Sequence, residues 1–293
     1  MAYHLNIRAC YPTIEVKHIW VQIAQTDIRS DAMISSIGTI RIGTSDGHMP
    51  GNKSTFPPAF QLKSRLHYYS TLFNTIEVNR CFYKTPLLST YQKWANDVPE
   101  DFTFTLKLSK DITHAKELTD DVACMNAFLQ AATGTGNKKG CLLIQFPGKI
   151  TLEHFNQVEQ ILDRLQSLDP NHEWRKAIEF RNDSWYVGET NELLNEYNAA
   201  FVLHDFSKGK VSALRGRANF VYMRFHGPAG NYRDSYSNYA LDEKAEQITE
   251  FLKTGKDVYA YFNNTAGNAF ENARYLQSKL IKEPDIYNLK RKA

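Results

Sequence analysis

Short runs rich in β-branched and aromatic residues recur along the chain, and most are separated by segments with helical spacing. The runs predict strands at residues 40–45, 75–79, 102–107, 141–146, 177–181, 201–204, 220–226 and 258–263. Strands that alternate with helices run parallel, because a parallel pair needs a long crossover connection. Eight such units predict an α/β fold, a TIM-type (β/α)8 barrel. An open doubly wound sheet is the structural alternative.

Polar and apolar positions also alternate within the predicted strands. In residues 102–107, for example, Phe104 and Leu106 alternate with Thr105 and Lys107. A parallel sheet covered by helices on both faces would be apolar throughout, so one face here must differ. In a barrel that face is the interior, which opens at the carboxyl ends of the strands, where barrel enzymes hold their active sites.

The helical segments include one that opens at Pro57-Pro58 and runs through Leu66 and Tyr69 to Phe73. Further helices are predicted at residues 87–94, 155–165, 192–197, 241–252 and 268–280. Residues 1–36 show no clean period and are assigned to an N-terminal extension without a function. The barrel domain is expected at residues 37–283, and residues 284–293 form a basic C-terminal tail.

Polar side chains stand at the end of every predicted strand, and together they form the candidate site. We expect catalytic roles for Glu77, Lys107, Glu179, His204 and His226. We expect substrate-binding roles for Asn79, Gln145, Arg181, Asp205, Arg224, Tyr232, Arg233, Tyr236, Asn263 and Asn264. Buried charges are costly unless they are paired, so eight polar strand ends indicate a site. The alternative is that these charges only close the barrel mouth by pairing with each other.

Proton transfer beside a carbonyl group needs a base, an acid and a group that stabilises an enolate. Glu179 is the predicted base, because Arg181 lies two residues on and shares its face. Lys107 and Arg224 would hold an anionic group or a developing negative charge, and His226 or His204 could carry a proton. These roles predict an enzyme that acts on a small polar or anionic substrate, such as a sugar or sugar phosphate.

Three other functions stay open. Divalent-metal chemistry on a phosphoester or nucleic acid would use Glu179, Asp205 and His226 as ligands, but it is not favoured because Lys107 and Arg224 place positive charge nearby. Nucleic-acid binding through the aromatic and basic segment 232–236 is disfavoured by the small net charge. A non-catalytic protein could bind a small ligand with the same residues.

Composition narrows the class of protein further. The 293 residues include 42% hydrophobic and 23% charged residues with a net charge of +3, which excludes intrinsic disorder and a strongly basic coat. No apolar run approaches the roughly 18 residues of a membrane span, and no signal peptide is evident, so a cytoplasmic protein is expected. The glycine-rich residues 133–136 follow a helix, the reverse of a phosphate-binding loop, so no nucleotide cofactor is expected.

Four cysteines, Cys10, Cys81, Cys124 and Cys141, lie far apart in the sequence. None forms a C-x-x-C pair, so a disulfide framework or a zinc knuckle is not predicted. We expect buried, reduced thiols. The oligomeric state is left open.

The strand-end motifs resemble those of the YecE-like proteins, the family described as domain of unknown function seventy-two. They are Ile42-Gly43-Thr44-Ser45, Phe73–Asn79 with Phe82-Tyr83 and Pro86, Lys107 with Ile112-Thr113-His114, Gln145-Phe146-Pro147, Glu179-Phe180-Arg181 with Ser184-Trp185, Leu203-His204-Asp205, Arg224–Pro228 with Tyr232-Arg233 and Ser235-Tyr236, and Tyr261–Asn264. The resemblance implies a TIM-type barrel related to sugar isomerases by fold. Residues 46–50 depart from it, because relatives commonly carry Trp and Tyr after the first strand.

Overall fold

The computed structural model describes residues 37–119, 122–205 and 216–281. The predicted extension, residues 1–36, and the predicted tail, residues 284–293, lie outside these ranges, so the domain boundaries stay predictions. None of the helices in the described ranges is long and apolar enough to cross a membrane.

Eight parallel strands form a nearly closed barrel with helices between them, as the sequence predicts. The strands are β1 (Ile40–Thr44), β2 (Thr75–Val78), β3 (Thr103–Lys107), β4 (Lys139–Phe146), β5 (Arg175–Phe180), β6 (Ala199–His204), β7 (Phe220–Phe225) and β8 (Asp257–Phe262). Their order around the barrel follows the chain from β2 to β8, and β8 pairs with β1. The observed strand bounds lie within two residues of the predicted ones, and the open sheet is ruled out.

Helices cover the barrel, and those at residues 88–96, 155–168, 188–196, 238–253 and 269–280 overlap predicted segments. They are α1 (Arg65–Ser70), α2 (Arg80–Tyr83), α3 (Leu88–Asn96), α4 (Lys110–Thr113), α5 (Val122–Ala132), α6 (Phe155–Leu168), α7 (Gly188–Glu196), α8 (Asn238–Lys253) and α9 (Ala269–Leu280). The single helix predicted from Pro57 to Phe73 is wrong. A short 3-10 turn covers Pro58–Phe60, and α1 begins anew where Oγ of Ser64 accepts a hydrogen bond from the backbone N of His67 (2.9 Å).

Two separate apolar layers explain the alternation within the strands. The outer layer packs the strands against the helices and contains Phe104 and Leu106 of β3. The inner layer fills the barrel with Cys141, Leu143, Ala177, Ala200, Val202, Ala218, Phe220, Tyr222, Tyr259 and Tyr261. Thr105 of β3 faces this interior, where its Oγ1 lies 2.7 Å from the hydroxyl of Tyr261. The alternate, more polar positions of each strand therefore point into the barrel interior.

Two of the cysteines in the described ranges, Cys81 and Cys141, are buried free thiols, as expected. Cys124 is partly exposed, so the expectation of burial is wrong for this residue. Cys10 lies outside the described residues.

Side chains close the seam between β1 and β2. Among the described residues the backbone ladder there is a single bridge, between Ser45 and Glu77. Below the bridge, the hydroxyl of Tyr69 accepts from the backbone N of Thr44 (2.7 Å) and donates to the carbonyl of Thr75 (3.1 Å). A Cβ on Gly43 would lie 2.3 Å from that carbonyl oxygen, so only glycine permits this approach.

We expect Tyr69→Phe to lower the free energy of unfolding by roughly 2–4 kcal/mol, because the buried N–H of Thr44 and carbonyl of Thr75 both lose their partner. Urea denaturation of the purified variant measures this change. Tyr68→Phe is the matched control, since the Tyr68 hydroxyl makes no hydrogen bond to any residue in the described ranges. Equal stability of the two variants would contradict this account of the seam.

Candidate functional site

An arginine between two carboxylates occupies the centre of the barrel mouth. Arg224 on β7 donates from Nη2 to Oε1 of Glu77 (2.9 Å) and from Nε to Oε2 of the same carboxylate (3.0 Å). Its Nη1 donates to Oε2 of Glu179 on β5 (3.1 Å). Arg224 is 2% exposed and both glutamates are 0% exposed. We call these three residues the carboxylate–arginine cluster. Their charges pair with each other, which is also what the alternative of a barrel mouth closed by ion pairs expects.

Glu77 is held ionised by its neighbours. Besides Arg224, it accepts hydrogen bonds from Oγ of Ser45 (2.6 Å) and the hydroxyl of Tyr222 (2.6 Å). Burial alone would raise the pKa of Glu77, but the charge of Arg224 and these hydrogen bonds outweigh burial and lower it. Sequence analysis misses Tyr222, although it lies two residues before Arg224 on the same face of β7.

Glu179 is fixed in the same way. Nε of Arg181 donates to Oε1 of Glu179, while Arg224 holds the other oxygen. Burial would raise the pKa of Glu179, yet the two arginine charges hold it well below its usual range. The carboxylate is therefore ionised, with one strong, charged donor on each oxygen.

His226 contacts both arginines, and its imidazole ring is neutral. Its Nε2 lies 3.2 Å from Nη1 of Arg224 and 3.2 Å from Nη2 of Arg181. Guanidinium groups only donate, so this Nε2 accepts and the proton sits on Nδ1. That Nδ1 faces Oδ1 of Asp205 at 3.4 Å. Burial, the largest effect, lowers the pKa of His226, in agreement with a neutral ring.

Asp205 and Tyr236 tie the loop after β7 to the barrel. Oδ1 of Asp205 accepts from the backbone N of His226 (2.8 Å), and its Oδ2 accepts from the hydroxyl of Tyr236. The Tyr236 hydroxyl in turn accepts from the backbone N of Gly227 (2.7 Å). The loop brings the hydroxyl of Tyr232 within 3.3 Å of Nη2 of Arg181. Asp205 and Tyr236 thus position the loop, whereas Tyr232 stands on the rim, 37% exposed.

His204 lies beside His226 at the end of β6. The centroids of the two rings are 6.1 Å apart. Nε2 of His204 lies 3.2 Å from the hydroxyl of Tyr186, which donates to the carbonyl of Phe180 (2.8 Å). Burial, the largest effect, lowers the pKa of His204. The sequence does not single out Tyr186, because it lies in the connection after β5 rather than at a strand end.

The amine of Lys107 is uncommitted, which distinguishes it from the charged residues of the cluster. Its Nζ stands 4.0 Å from the centroid of the Phe82 ring and makes no hydrogen bond or ion pair with any residue that the structure describes. Burial, followed by the charge of Arg224, lowers the pKa of Lys107 to about 8. Near neutral pH this amine can therefore both give and take a proton.

His114 contacts Phe82 edge to face and is a residue that the candidate set misses. The His114 and Phe82 ring centroids are 4.9 Å apart. Burial comes first among the causes that lower the pKa of His114 to about 4, followed by the charges of Lys107, Lys149 and Arg181. Positive charge thus converges on this side of the mouth.

His114 makes a prediction about acid stability. Its pKa of about 4 in the folded protein lies below the ordinary 6.5, so the unfolded chain takes up a proton first as pH falls. The free energy of unfolding should therefore decline from pH 6.5 towards pH 4. His114→Gln should make this decline shallower, as measured by urea denaturation at several pH values with pH 7 as the baseline. A slope that is the same in both proteins would contradict it.

The remaining candidates divide into two groups. Gln145, Asn79 and Asn263 face the mouth: Gln145 lies next to Glu179 in the β4–β5 register, and Nδ2 of Asn79 donates to Oε1 of Glu77 (3.2 Å). Asn79 and Asn263 line a cavity of about 360 Å³ beside the cluster. A larger cavity of about 540 Å³ lies on the flank, between α1, α3 and the outer face of β2, away from the cluster.

Asn264 and Arg233 are not brought to the cluster. Nδ2 of Asn264 donates to the carbonyl of Asp234 (2.9 Å) and to Oδ1 of Asn272 (3.0 Å), so this amide anchors the loop to α9. Arg233 is exposed in a two-residue strand of that loop. Neither side chain contacts the carboxylate–arginine cluster within the described residues, so their predicted substrate-binding role has no support there.

The side chains at the mouth do not form a metal-ligand set. Within residues 37–119, 122–205 and 216–281, no group of three or more His, Cys, Asp or Glu side chains is placed to hold a metal ion. Of the candidate ligands, Glu179 is bound to two arginines, and Nε2 of His226 accepts from the same two.

Comparisons with known proteins place this barrel in a family. The chain is 27% identical over 254 residues to the UPF0759 protein YunF of Bacillus subtilis (strain 168), covering 76% of this chain and 89% of that protein. Crystal structures of DUF72 family proteins share the fold. The one from Enterococcus faecalis V583 has a TM-score of 0.68 at 21% identity and covers 83% of this chain and 95% of that chain. The one from Thermotoga maritima MSB8 has a TM-score of 0.66 at 24% identity and covers 83% of this chain and 99% of that chain.

A family model described as "Protein of unknown function DUF72" matches residues 41–292, which is most of the chain and the whole of the described barrel beyond its first residues. The strand-end motifs that suggested this family therefore belong to a match along the entire fold. The chain is a member of the DUF72 family.

Proposed function

We propose that the protein is an enzyme that acts on a small, polar, anionic substrate by acid/base chemistry, with Lys107 as the group that transfers the proton. The observation that carries this proposal is the amine of Lys107. It is largely buried at the carboxyl ends of the strands, its pKa is lowered to about 8, and it makes no hydrogen bond within the described residues. A general base or acid is most efficient when its pKa lies near the working pH.

This proposal changes the predicted base. Glu179 was the sequence-based choice, but its carboxylate accepts from Arg181 and Arg224, and its pKa lies well below the usual range. Such a group is a weak base at neutral pH. We assign Glu179 and Glu77 to holding Arg224, and we assign proton transfer to Lys107.

Charge supports an anionic substrate. Lys107, Lys149 and Arg181 each act on the ring of His114, so three cations lie around one side of the mouth. A phosphate or carboxylate group bound there would be attracted by all three, and a developing enolate would be stabilised by the same charges. A sugar phosphate or a sugar acid carries such an anionic group and, in the same molecule, a C–H group next to a carbonyl. The implied relation to sugar isomerases agrees with this substrate class but rests on fold similarity.

The proposal is tested by proton exchange. The protein is incubated in D2O with aldose phosphates, ketose phosphates and sugar acids, and proton NMR follows the C–H signal next to the carbonyl carbon. We expect loss of that signal for at least one class, and none with heat-denatured protein. A ligand that raises the unfolding temperature without exchange or turnover would instead support the ligand-binding alternative. Unchanged spectra for every class would reject the proposal.

A further inference from the structure

We propose that the cavity beside Glu77 is a second subsite, which binds the hydroxyl groups of an uncharged part of the substrate. The cavity measures about 360 Å³ and is lined by Ser45, Asp46, Gly47, His48, Arg65, Asn79, Asn263 and Thr265. We call it the hydroxyl subsite. The inference rests on the proposed function, because it extends the same mouth and names the other end of the substrate.

The hydroxyl subsite borders directly on the carboxylate–arginine cluster. Oγ of Ser45 (2.6 Å) and Nδ2 of Asn79 (3.2 Å) both donate to Oε1 of Glu77, and both side chains line the cavity. A ligand in the cavity therefore lies on the β1–β2 side of Glu77. From Glu77 a continuous chain of ion pairs runs through Arg224 and Glu179 to Arg181.

Several polar groups in the hydroxyl subsite have no partner among the described residues. Oδ1 of Asn79 is buried and accepts no hydrogen bond. The amide of Asn263, a residue 8% exposed, makes none, and neither does the imidazole of His48. An unpaired buried polar group costs roughly 1–3 kcal/mol, which a ligand hydroxyl would remove by donating to Asn79 and accepting from Asn263.

The two charged residues of the cavity wall, Asp46 and Arg65, are held in place by backbone groups. Oδ1 of Asp46 accepts from the backbone N of Asn79 (2.8 Å) and of Arg80 (3.1 Å). The guanidinium of Arg65 donates to the carbonyls of Gly51 (2.9 Å) and Met49. The wall thus carries one negative and one positive charge beside several amide and hydroxyl groups, and this balanced, hydrogen-bonding lining favours an uncharged polyol over an ion.

The test measures binding of two separate probes. Calorimetry with the full chain uses neutral aldopentoses, aldohexoses and alditols for the hydroxyl subsite, and inorganic phosphate for the Lys107 side. We expect saturable binding of a neutral polyol that weakens at least about ten-fold in Asn263→Leu, since one or two hydrogen bonds are lost. Phosphate binding should be unchanged in that variant. Asn126→Leu, at an exposed position of α5, is the matched control and should bind both probes like the wild type.

The outcomes separate this inference from the proposed function. If no neutral polyol binds, or if Asn263→Leu and Asn126→Leu bind it equally, the hydroxyl subsite is refuted even when proton exchange occurs. If a polyol binds and Asn263→Leu weakens it while exchange is absent, the subsite stands and the acid/base proposal falls. Thermal unfolding without ligand shows that each variant is folded, and His48→Ala provides a second test of the same cavity.

Discussion

Replacing Lys107 with methionine is expected to lower kcat by about 10²–10⁴-fold on any substrate found by proton exchange, the usual contribution of general acid/base catalysis. Methionine keeps most of the apolar stem against Phe82 but has no proton to transfer. The wild-type rate should also depend on pH with an inflection near the Lys107 pKa of about 8, and the variant should lack it. Steady-state rates between pH 6 and pH 10 measure both effects.

Two further variants separate proton transfer from charge. Lys107→Arg keeps the positive charge but stays protonated at every accessible pH, so it should bind phosphate while turnover remains low. Lys110→Met removes an exposed lysine three residues away and should leave kcat unchanged. Wild-type turnover in Lys107→Met, or full activity in Lys107→Arg, would remove Lys107 from the mechanism.

Arg224→Met is expected to lower the free energy of unfolding by about 3–5 kcal/mol, because it leaves Glu77 and Glu179 buried without their shared cation. The methionine side chain fills a similar volume, so the loss reports the charge rather than a cavity. Urea denaturation at pH 7 measures it. Arg233→Met removes an exposed arginine from the neighbouring loop and should be nearly neutral.

The Arg224 prediction has a definite dependence on pH. In the wild type the pKa of both carboxyls is lowered, so their stabilisation is present above the unfolded value of about 4.5 and is lost as pH falls through the folded value. In Arg224→Met, burial acts without this cation and favours the protonated acids. The gap in stability between the two proteins should therefore narrow as pH falls, beginning above pH 4.5, where the carboxyls of the folded variant take up protons, and continuing below it. A gap that is independent of pH would show that the loss has another cause.

The fold was predictable because the signals that specify it are local. Alternation such as Phe104, Thr105, Leu106 and Lys107 in β3 identifies both the strand and its interior face, and chain order gives the barrel order. The error at residues 57–73 has a local cause too. The helical spacing of apolar residues was followed although Ser64 is a helix-capping residue, and its side chain caps the start of α1. Leu62, which was placed on the apolar face of the predicted helix, is 97% exposed.

The sequence locates the site but leaves the state of its residues open. Position at a strand end brings Glu77, Glu179 and Arg224 to one mouth, yet nothing in the sequence says which charges pair. The low pKa of Glu179 follows from two arginines on its oxygens, and that of Lys107 from burial near Arg224. Both depend on distances between strands far apart in sequence. Likewise the sequence does not show that His114 contacts Phe82 and lies beside the cations of the mouth.

Glu77 contributes to two features that are usually separate. Its backbone makes the bridge that joins β1 to β2, and its carboxylate holds Ser45 on one side and Arg224 on the other. A molecule in which β1 has detached has thereby lost the hydrogen bond from Ser45 that helps to hold the Glu77 carboxylate. Opening of the seam between β1 and β2 therefore loosens the charged group as well, so we expect a partly opened barrel to lose activity before it unfolds and a bound substrate to favour the closed seam.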